Sequence, residues 1–288
     1  MREITHIMER PVKSIKLILA TMLLTLASCA KPAGPKPTTM PPTSIPTSAP
    51  TAAPAETPAE TPAVALTYED NAQVELVTPS GRHIYIDVAN PRGLTREPSA
   101  DDVLLTTHLH SDHYYPAFQE AFPGQQLFTS VGKIEFPDVS ITGIASAHNS
   151  SDPIQAEKAT DYIYIIDVAG LRIAHFGDIG QESLTDDQLV ALGTVDLAIT
   201  QLSNSFSNMN AANLKGFNLM DQVKPRLIIP THSDQATIKI ASERWKGYNS
   251  ESRTVTLSAA SLPSGRSILV LGNLSIAYGA LFKLEPWK

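Results

Sequence analysis

Thr107-His108-Leu109-His110-Ser111-Asp112-His113 places three imidazoles and a carboxylate within six residues, directly after the apolar run Val103-Leu104-Leu105. Side chains alternate across an extended backbone, so His108 and His110 point the same way just past Leu105. A helix predicted over 114–122 puts Asp112 and His113 in its first turn, where they reach a second point nearby. The stretch therefore offers two ligands to each of two neighbouring cations. Imidazole nitrogen and carboxylate oxygen are the donors expected of zinc, and they also suit iron or manganese. The competing reading is a solvated His-rich patch.

Further donors stand at the ends of apolar runs. His148 follows the β-like run from Val139 to Ala147 and opens the polar loop Asn149-Ser150-Ser151-Asp152. Asp178 ends Leu171-Arg172-Ile173-Ala174-His175-Phe176-Gly177-Asp178, where the glycine permits a close backbone approach. His232 ends Leu227-Ile228-Ile229-Pro230-Thr231-His232. Singly these have ordinary readings: a core histidine, a capping aspartate, a surface histidine. Together with the heptapeptide they form a ligand set. His175 is either a contact behind the site or a packed core residue, and Asp87 is expected to accept the second N–H of a ligating imidazole.

The chain before this domain has a different character. Arg10, Lys13 and Lys16 precede an apolar stretch from Leu17 to Leu26, too short to span a bilayer and of the kind found in export signals. It ends in Leu26-Ala27-Ser28-Cys29, which resembles the lipobox of bacterial lipoproteins, and Cys29 is the single cysteine of the chain. Residues 1–29 are thus expected to be a lipoprotein signal peptide. The implied location is outside the cytoplasm, anchored to a bacterial membrane by a lipid on Cys29. Residues 30–65 hold ten of the 22 prolines among Thr, Ala and Ser, and no core can form from them. An extended stalk of about 100 Å follows from about 3.1 Å per residue in polyproline conformation. Residues 66–288 are expected to form one domain, and a chain that is 42% hydrophobic overall has ample apolar residues for its core. A net charge of −7 argues against a nucleic-acid partner.

Within the domain, strands are predicted over 73–78, 82–88, 102–106, 126–129, 139–145, 161–168 and 171–176, then over 196–202, 226–229, 253–257 and 267–271. Ala169-Gly170 joins two of them as a tight hairpin. Helices fit at 114–122, 185–192, 212–223 and 235–245, with Thr185 and Ser233-Asp234 as N-terminal caps. Hairpins early, helices interspersed later and no glycine-rich nucleotide loop point to an α/β protein of layered sheets covered by helices.

His-x-His-x-Asp-His, a later histidine, a Gly-Asp after a strand and a final strand ending in histidine resemble the metallo-β-lactamase superfamily across 66–288. Ile86-Asp87, His175-Phe176-Gly177-Asp178 and Pro230-Thr231-His232 are most similar to its small ascorbate-phosphate-lactonase-like branch of metal-dependent hydrolases. That branch often has Gly-His-Ala near its first strand; here the place reads Asp70-Asn71-Ala72-Gln73. The antibiotic-degrading branch usually has a cysteine among its second-metal ligands, and this domain has none. The resemblance implies an αβ/βα four-layer sandwich with metals at the seam of two sheets. By matching motif positions, His108, His110 and His148 hold one cation, Asp112, His113 and His232 the second, and Asp178 bridges them.

Two divalent cations, expected to be zinc by their donors, bring a charge of +4. Asp112, Asp178 and a bridging hydroxide leave about +1 to polarise an electron-rich oxygen, and the metals bring the pKa of bound water towards neutrality. Asp112 and Asp178 are the candidate catalytic carboxylates for moving a proton. The expected activity is hydrolysis of a small-molecule substrate at a lactone, phosphodiester or amide bond by a metal-bound hydroxide. The alternative is a non-hydrolytic metal- or ligand-binding surface lipoprotein on the same fold. A nuclease, which the superfamily also contains, is disfavoured by the acidic balance.

Overall fold

The computed structural model describes residues 61–272, 282 and 284–287. The export segment, Cys29 and the proline-rich stretch up to residue 60 lie outside the described residues. Among those described, no helix is long and apolar enough to cross a membrane.

Two sheets form the molecule's middle. The first combines β1 (Val64–Tyr68), β2 (Val74–Val77), β3 (His83–Ile86), β4 (Val103–Thr106), β5 (Gln125–Phe128) and β13 (Thr254–Leu257), in the order β13-β1-β2-β3-β4-β5. The second contains β6 (Gly132–Phe136), β7 (Val139–Ser146), β8 (Asp161–Val168), β9 (Leu171–His175), β10 (Leu197–Thr200), β11 (Leu227–Pro230), β12 (Lys246–Ser250), β14 (Ser267–Leu271) and β15 (Glu285–Pro286). Its order is β15-β12-β14-β11-β10-β9-β8-β7-β6. Each sheet begins as an antiparallel meander and turns parallel, at β3–β4–β5 in the first and from β9 onward in the second.

Alternation along the strands sorts side chains into layers. Ile84, Ile86, Val103 and Leu105 of the first sheet meet Tyr164, Ile166, Ile173 and Ile199 of the second in the central core. Their neighbours in sequence face outward. Tyr85 and Leu104 pack with Phe122 and Phe118 of the α1 region, and α1 spans Pro116–Ala121. Ile163, Ile165, Ala198 and Ile228 pack with side chains of α2 (Asp186–Leu192), α3 (Lys215–Val223) and α4 (Gln235–Arg244). The result is the expected αβ/βα sandwich of four layers. Strands buried on both faces lose the apolar–polar alternation of a half-exposed sheet, which is why these runs are continuously hydrophobic.

Several local expectations hold. Thr185 caps α2, accepting from the Gln188 N–H at 3.2 Å while Gln188 reaches back, and Asp234 caps α4 in the same reciprocal way with Thr237. Ala169 and Gly170 both have positive φ, 52° and 74°, as a two-residue hairpin turn of primed type requires.

Others are corrected. β1 begins at Val64, which is fully buried and pairs with Leu257, so the first strand starts two residues before the expected domain boundary of 66. Three further strands were not expected: β6, a charged edge strand with one buried residue; β12, whose Lys-Gly-Tyr-Asn-Ser lacks β-branched residues; and β15. The predicted helix at 114–122 is shorter. Pro116 occupies its first turn and holds Tyr115 extended, at φ −121° and ψ 105°. Asp112 and His113 therefore lie ahead of the helix, in a turn closed by the His113 N–H to the His110 carbonyl at 3.0 Å.

Candidate metal centre

Every sequence-predicted donor emerges beyond the C-terminal end of a strand: His108 to His113 after β4, His148 after β7, Asp178 after β9 and His232 after β11. In open sheets that edge is where backbone geometry leaves a crevice for ligands. The seven side chains converge there in two groups. His108, His110, His148 and Asp178 form one, and Asp112, His113 and His232 the other, with the donor atoms of each group within 4.8 Å of one another.

Asp178 straddles the groups. Its Oδ2 lies 3.8 Å from His108 Nε2 and 3.7 Å from His148 Nε2. Its Oδ1 lies 3.3 Å from His113 Nε2 and 3.4 Å from His232 Nε2. On the second side His232 Nε2 is also 3.2 Å from His113 Nε2 and 3.6 Å from Asp112 Oδ2. Donors bound at about 2.0–2.2 Å to one tetrahedral cation sit about 3.3–3.6 Å apart, so these separations suit a cation on either side of Asp178. Hydrogen bonding agrees. His108 Nε2, His148 Nε2 and Asp178 Oδ1 are buried and make no hydrogen bond. Three orphaned polar atoms aimed into one small volume are costly in a protein unless a cation satisfies them.

Behind the donors lies a supporting set. Asp87, fully buried, accepts from the Thr107 N–H at 2.7 Å and hydroxyl at 2.8 Å, and its Oδ2 is 2.9 Å from His113 Nδ1. The expected role of Asp87 as an imidazole partner is met by this geometry, which presents His113 Nε2 to the centre. His175 is a packed core residue: its Nε2 lies 3.2 Å from the Ala72 carbonyl and its Nδ1 accepts the Gly177 N–H. Sequence reasoning missed two members. Asp161, at the start of β8, accepts from the Ser146 hydroxyl at 2.6 Å and the Asp178 N–H at 3.2 Å, and lies 3.5 Å from His108 Nδ1. Asn204 donates to Asp178 Oδ2 at 2.6 Å. Gly177 makes this packing feasible: it has φ +53°, and a Cβ there would collide with Asp161 Oδ1 and Thr107. Asp87 and the Gly177-Asp178 pair carried a signal in the sequence, whereas Asp161 and Asn204 are brought in by tertiary packing alone.

Electrostatics follow from this crowding. Burial lowers the His108 imidazole to about 3, helped by His113 and opposed by Asp87 and Asp178. Burial and then His148 lower His110, and burial lowers His175. Burial also acts against charge on His113, but Asp87 and Asp178 outweigh it and raise its pKa well above the usual value. Burial pushes Asp87 and Asp178 upward; the imidazoles around them prevail and hold both carboxyls below the ordinary range, His113 foremost for each. Asp161 goes the other way, raised well above a normal aspartate by burial, with Asp178 and Asp87 adding and the Ser146 hydroxyl opposing. Charge is thus disfavoured on His108 and His110, whose lone pairs stay free to donate, and favoured on His113 between the ionised carboxylates of Asp87 and Asp178.

A four-layer αβ/βα sandwich with a His/Asp cluster at the seam of its sheets defines a class of metal-centred proteins. The profile of the beta-lactamase superfamily domain matches residues 65–232, more than half of the chain, and the chain belongs to that superfamily in its metallo-β-lactamase form. The match ends on His232, the last of the seven donors. Among solved structures, a protein of Thermotoga maritima from the metallo-β-lactamase superfamily superposes with a TM-score of 0.54 at 18% identity, over 73% of this chain and 98% of its own. A protein of Parabacteroides distasonis assigned as a metal-dependent hydrolase gives 0.50 at 15% identity, over 73% and 93%. At such identities the likeness is one of fold. No curated protein matches the chain.

Proposed function

We propose that the protein is a binuclear metal-dependent hydrolase of small ester-like substrates, held outside the cytoplasm by a lipid on Cys29. The observation that carries the hydrolase reading is Asp178, whose two oxygens face two separate donor groups while three buried atoms around it lack hydrogen bonds. His108, His110 and His148 would hold one cation, and Asp112, His113 and His232 the other. Zinc suits this nitrogen and oxygen set, as do manganese and iron. When bound, such cations supply Lewis acidity and a hydroxide nucleophile at neutral pH.

The chain's own residues do the rest. Asp87 fixes the His113 ring, Asp161 holds the Asp178 backbone, and Asn204 orients the Asp178 carboxylate. Asp112, with 41% of its side chain exposed, is the ligand carboxylate that can exchange a proton with solvent or a leaving group. Export and anchoring rest on the basic, apolar and Leu-Ala-Ser-Cys segments of the first 29 residues.

The test is hydrolysis by the purified protein, loaded with zinc or manganese, of lactones, carboxylic esters, phosphodiesters, amides and β-lactams. Turnover of one class is expected, abolished by chelator and by His110→Ala. Two bound metals with no turnover in any class would instead favour a binding module on the same fold.

A further inference from the structure

Single exposed apolar side chains are ordinary on a protein surface, but a concentration of them marks a place where something binds. Among the described residues the large apolar side chains left exposed are Leu109, Tyr115, Phe128, Val131, Phe206 and Val190. All but Val190 belong to segments bordering the metal centre. Leu109 stands between His108 and His110, and Tyr115 follows His113 by two residues. Phe128 and Val131 bracket Thr129, which lines the same cavity as His108, Leu109, His110 and His148. The Phe206 ring lies 6.0 Å from that of His110.

The cavity holds about 450 Å³, the size of a small-molecule site. Beyond the three imidazoles its lining is Leu109, Ala159 and Tyr162 with neutral polar groups and one carboxylate, Asp152. The Asp152 Oδ2 accepts from the Asn149 N–H and the Thr160 hydroxyl, which fixes a negative charge in the wall. Neither lysine nor arginine is among the lining residues. A phosphoryl or carboxylate group on the substrate would meet Asp152 there without a side-chain cation to pair with, and fixed cations are how proteins recognise such groups.

Phe206 is 76% exposed yet firmly held. Its N–H donates to Asn204 Oδ1 at 2.9 Å, and the other end of the same amide donates to Asp178. Asn204 and Met209 exchange backbone hydrogen bonds at 2.8 and 2.9 Å across the loop. The Ser207 hydroxyl accepts from Gln201, and its carbonyl from Lys215 Nζ, a buried amine that also donates to the Gly180 carbonyl and the Ser150 hydroxyl. The loop is thereby tied to the bridging carboxylate and to the segments following His148 and Asp178, with an aromatic ring at its tip.

Resting on the hydrolase reading, we propose that Phe206 and Leu109 determine specificity, and that the substrate is an uncharged ester-like molecule bearing an apolar group that lies between them. Asp152 and the basic-poor wall select against phosphorylated substrates. Burying apolar area at such a rim gains affinity with every methylene covered.

The experiment uses the purified, zinc-loaded full chain with p-nitrophenyl acetate, butyrate and octanoate, and with p-nitrophenyl phosphate and bis(p-nitrophenyl) phosphate. The expected result is a kcat/KM that rises about tenfold or more from acetate to octanoate, the gain from covering about two methylenes, with both phosphates poorer than any carboxylic ester. Phe206→Ala and Leu109→Ser should each collapse the octanoate-to-acetate ratio through KM, whereas Val190→Ser, at the remote apolar site, should leave it unchanged. A flat chain-length profile, a preference for either phosphate, or variants that lower kcat equally for all esters would overturn the proposal while the hydrolase reading stands. Should no substrate of any class turn over, that reading falls first. Saturation-transfer NMR with octan-2-one then decides the apolar site alone: binding lost in Phe206→Ala supports it, and binding absent from the parent protein or retained in the variant overturns it.

Discussion

At the scale of single residues, Asp87 shows how the candidate metal centre depends on side chains outside its donor set. It is fully buried, accepts two hydrogen bonds from Thr107, and faces His113 Nδ1 at 2.9 Å, so the ring can present only Nε2 to the centre. Asp87→Ala should weaken metal binding by about 10–100-fold, the usual loss when a ligating imidazole is deprived of its partner. Competition against a fluorescent chelator measures this, and unchanged affinity would refute the assignment. Asp87 was legible in the sequence because a carboxylate ending an apolar strand near a His cluster has few other purposes. The seven donors were legible for a similar reason: their residue types are uncommon at strand ends, and their clustering is less common still. Asp161 and Asn204 were not, since an aspartate at a strand start and an asparagine in a polar loop look ordinary until packing brings Asp178 between them.

At the scale of elements, the capped starts of α2 and α4 were clear local signals, and the second reaches the site. Asp234 stands two residues beyond His232; its Oδ1 accepts from the Thr237 N–H at 2.8 Å and its Oδ2 from the Ser203 hydroxyl at 2.7 Å. It caps α4 and pins the start of the Ser203–Met209 loop at once. Asp234→Ala should destabilise the fold by about 1–2 kcal/mol, the range for a lost N-cap, with a matching fall in the urea midpoint. A loss below about 0.5 kcal/mol, the level of a neutral surface substitution, would show that the cap is dispensable. The strands were read well where they are buried on both faces and badly at the margins. β6 and β12 are held by their partners β7 and β14 rather than by their own composition. β1 was hidden because it follows directly on the proline-rich stretch, where an Ala-Val-Ala run gives no warning of a strand. The helical turn expected at Asp112 and His113 failed for one residue's reason, since Pro116 forces the residue before it out of helical backbone.

At the scale of the whole molecule, the centre is a clasp between the two sheets. His108 to His113 come from the first sheet, whereas His148, Asp178 and His232 come from the second. Metal that binds this arrangement but not the unfolded chain adds RT ln(1 + [M]/Kd) to stability, about 4 kcal/mol at a thousandfold excess over Kd. For a domain of this length, about 2–4 °C per kcal/mol translates that into a fall of about 8–16 °C in Tm on chelation. Asp178→Ala should remove most of this difference, because it deprives both donor groups of a shared ligand. His83→Gln should retain it, since His83 lies away from the centre beside Glu75. Calorimetric scans of the three proteins with zinc and with chelator separate the cases. If chelation strips the metal, as elemental analysis can verify, and Tm does not move, then the sheets are held by their apolar core alone and the centre contributes chemistry without stability.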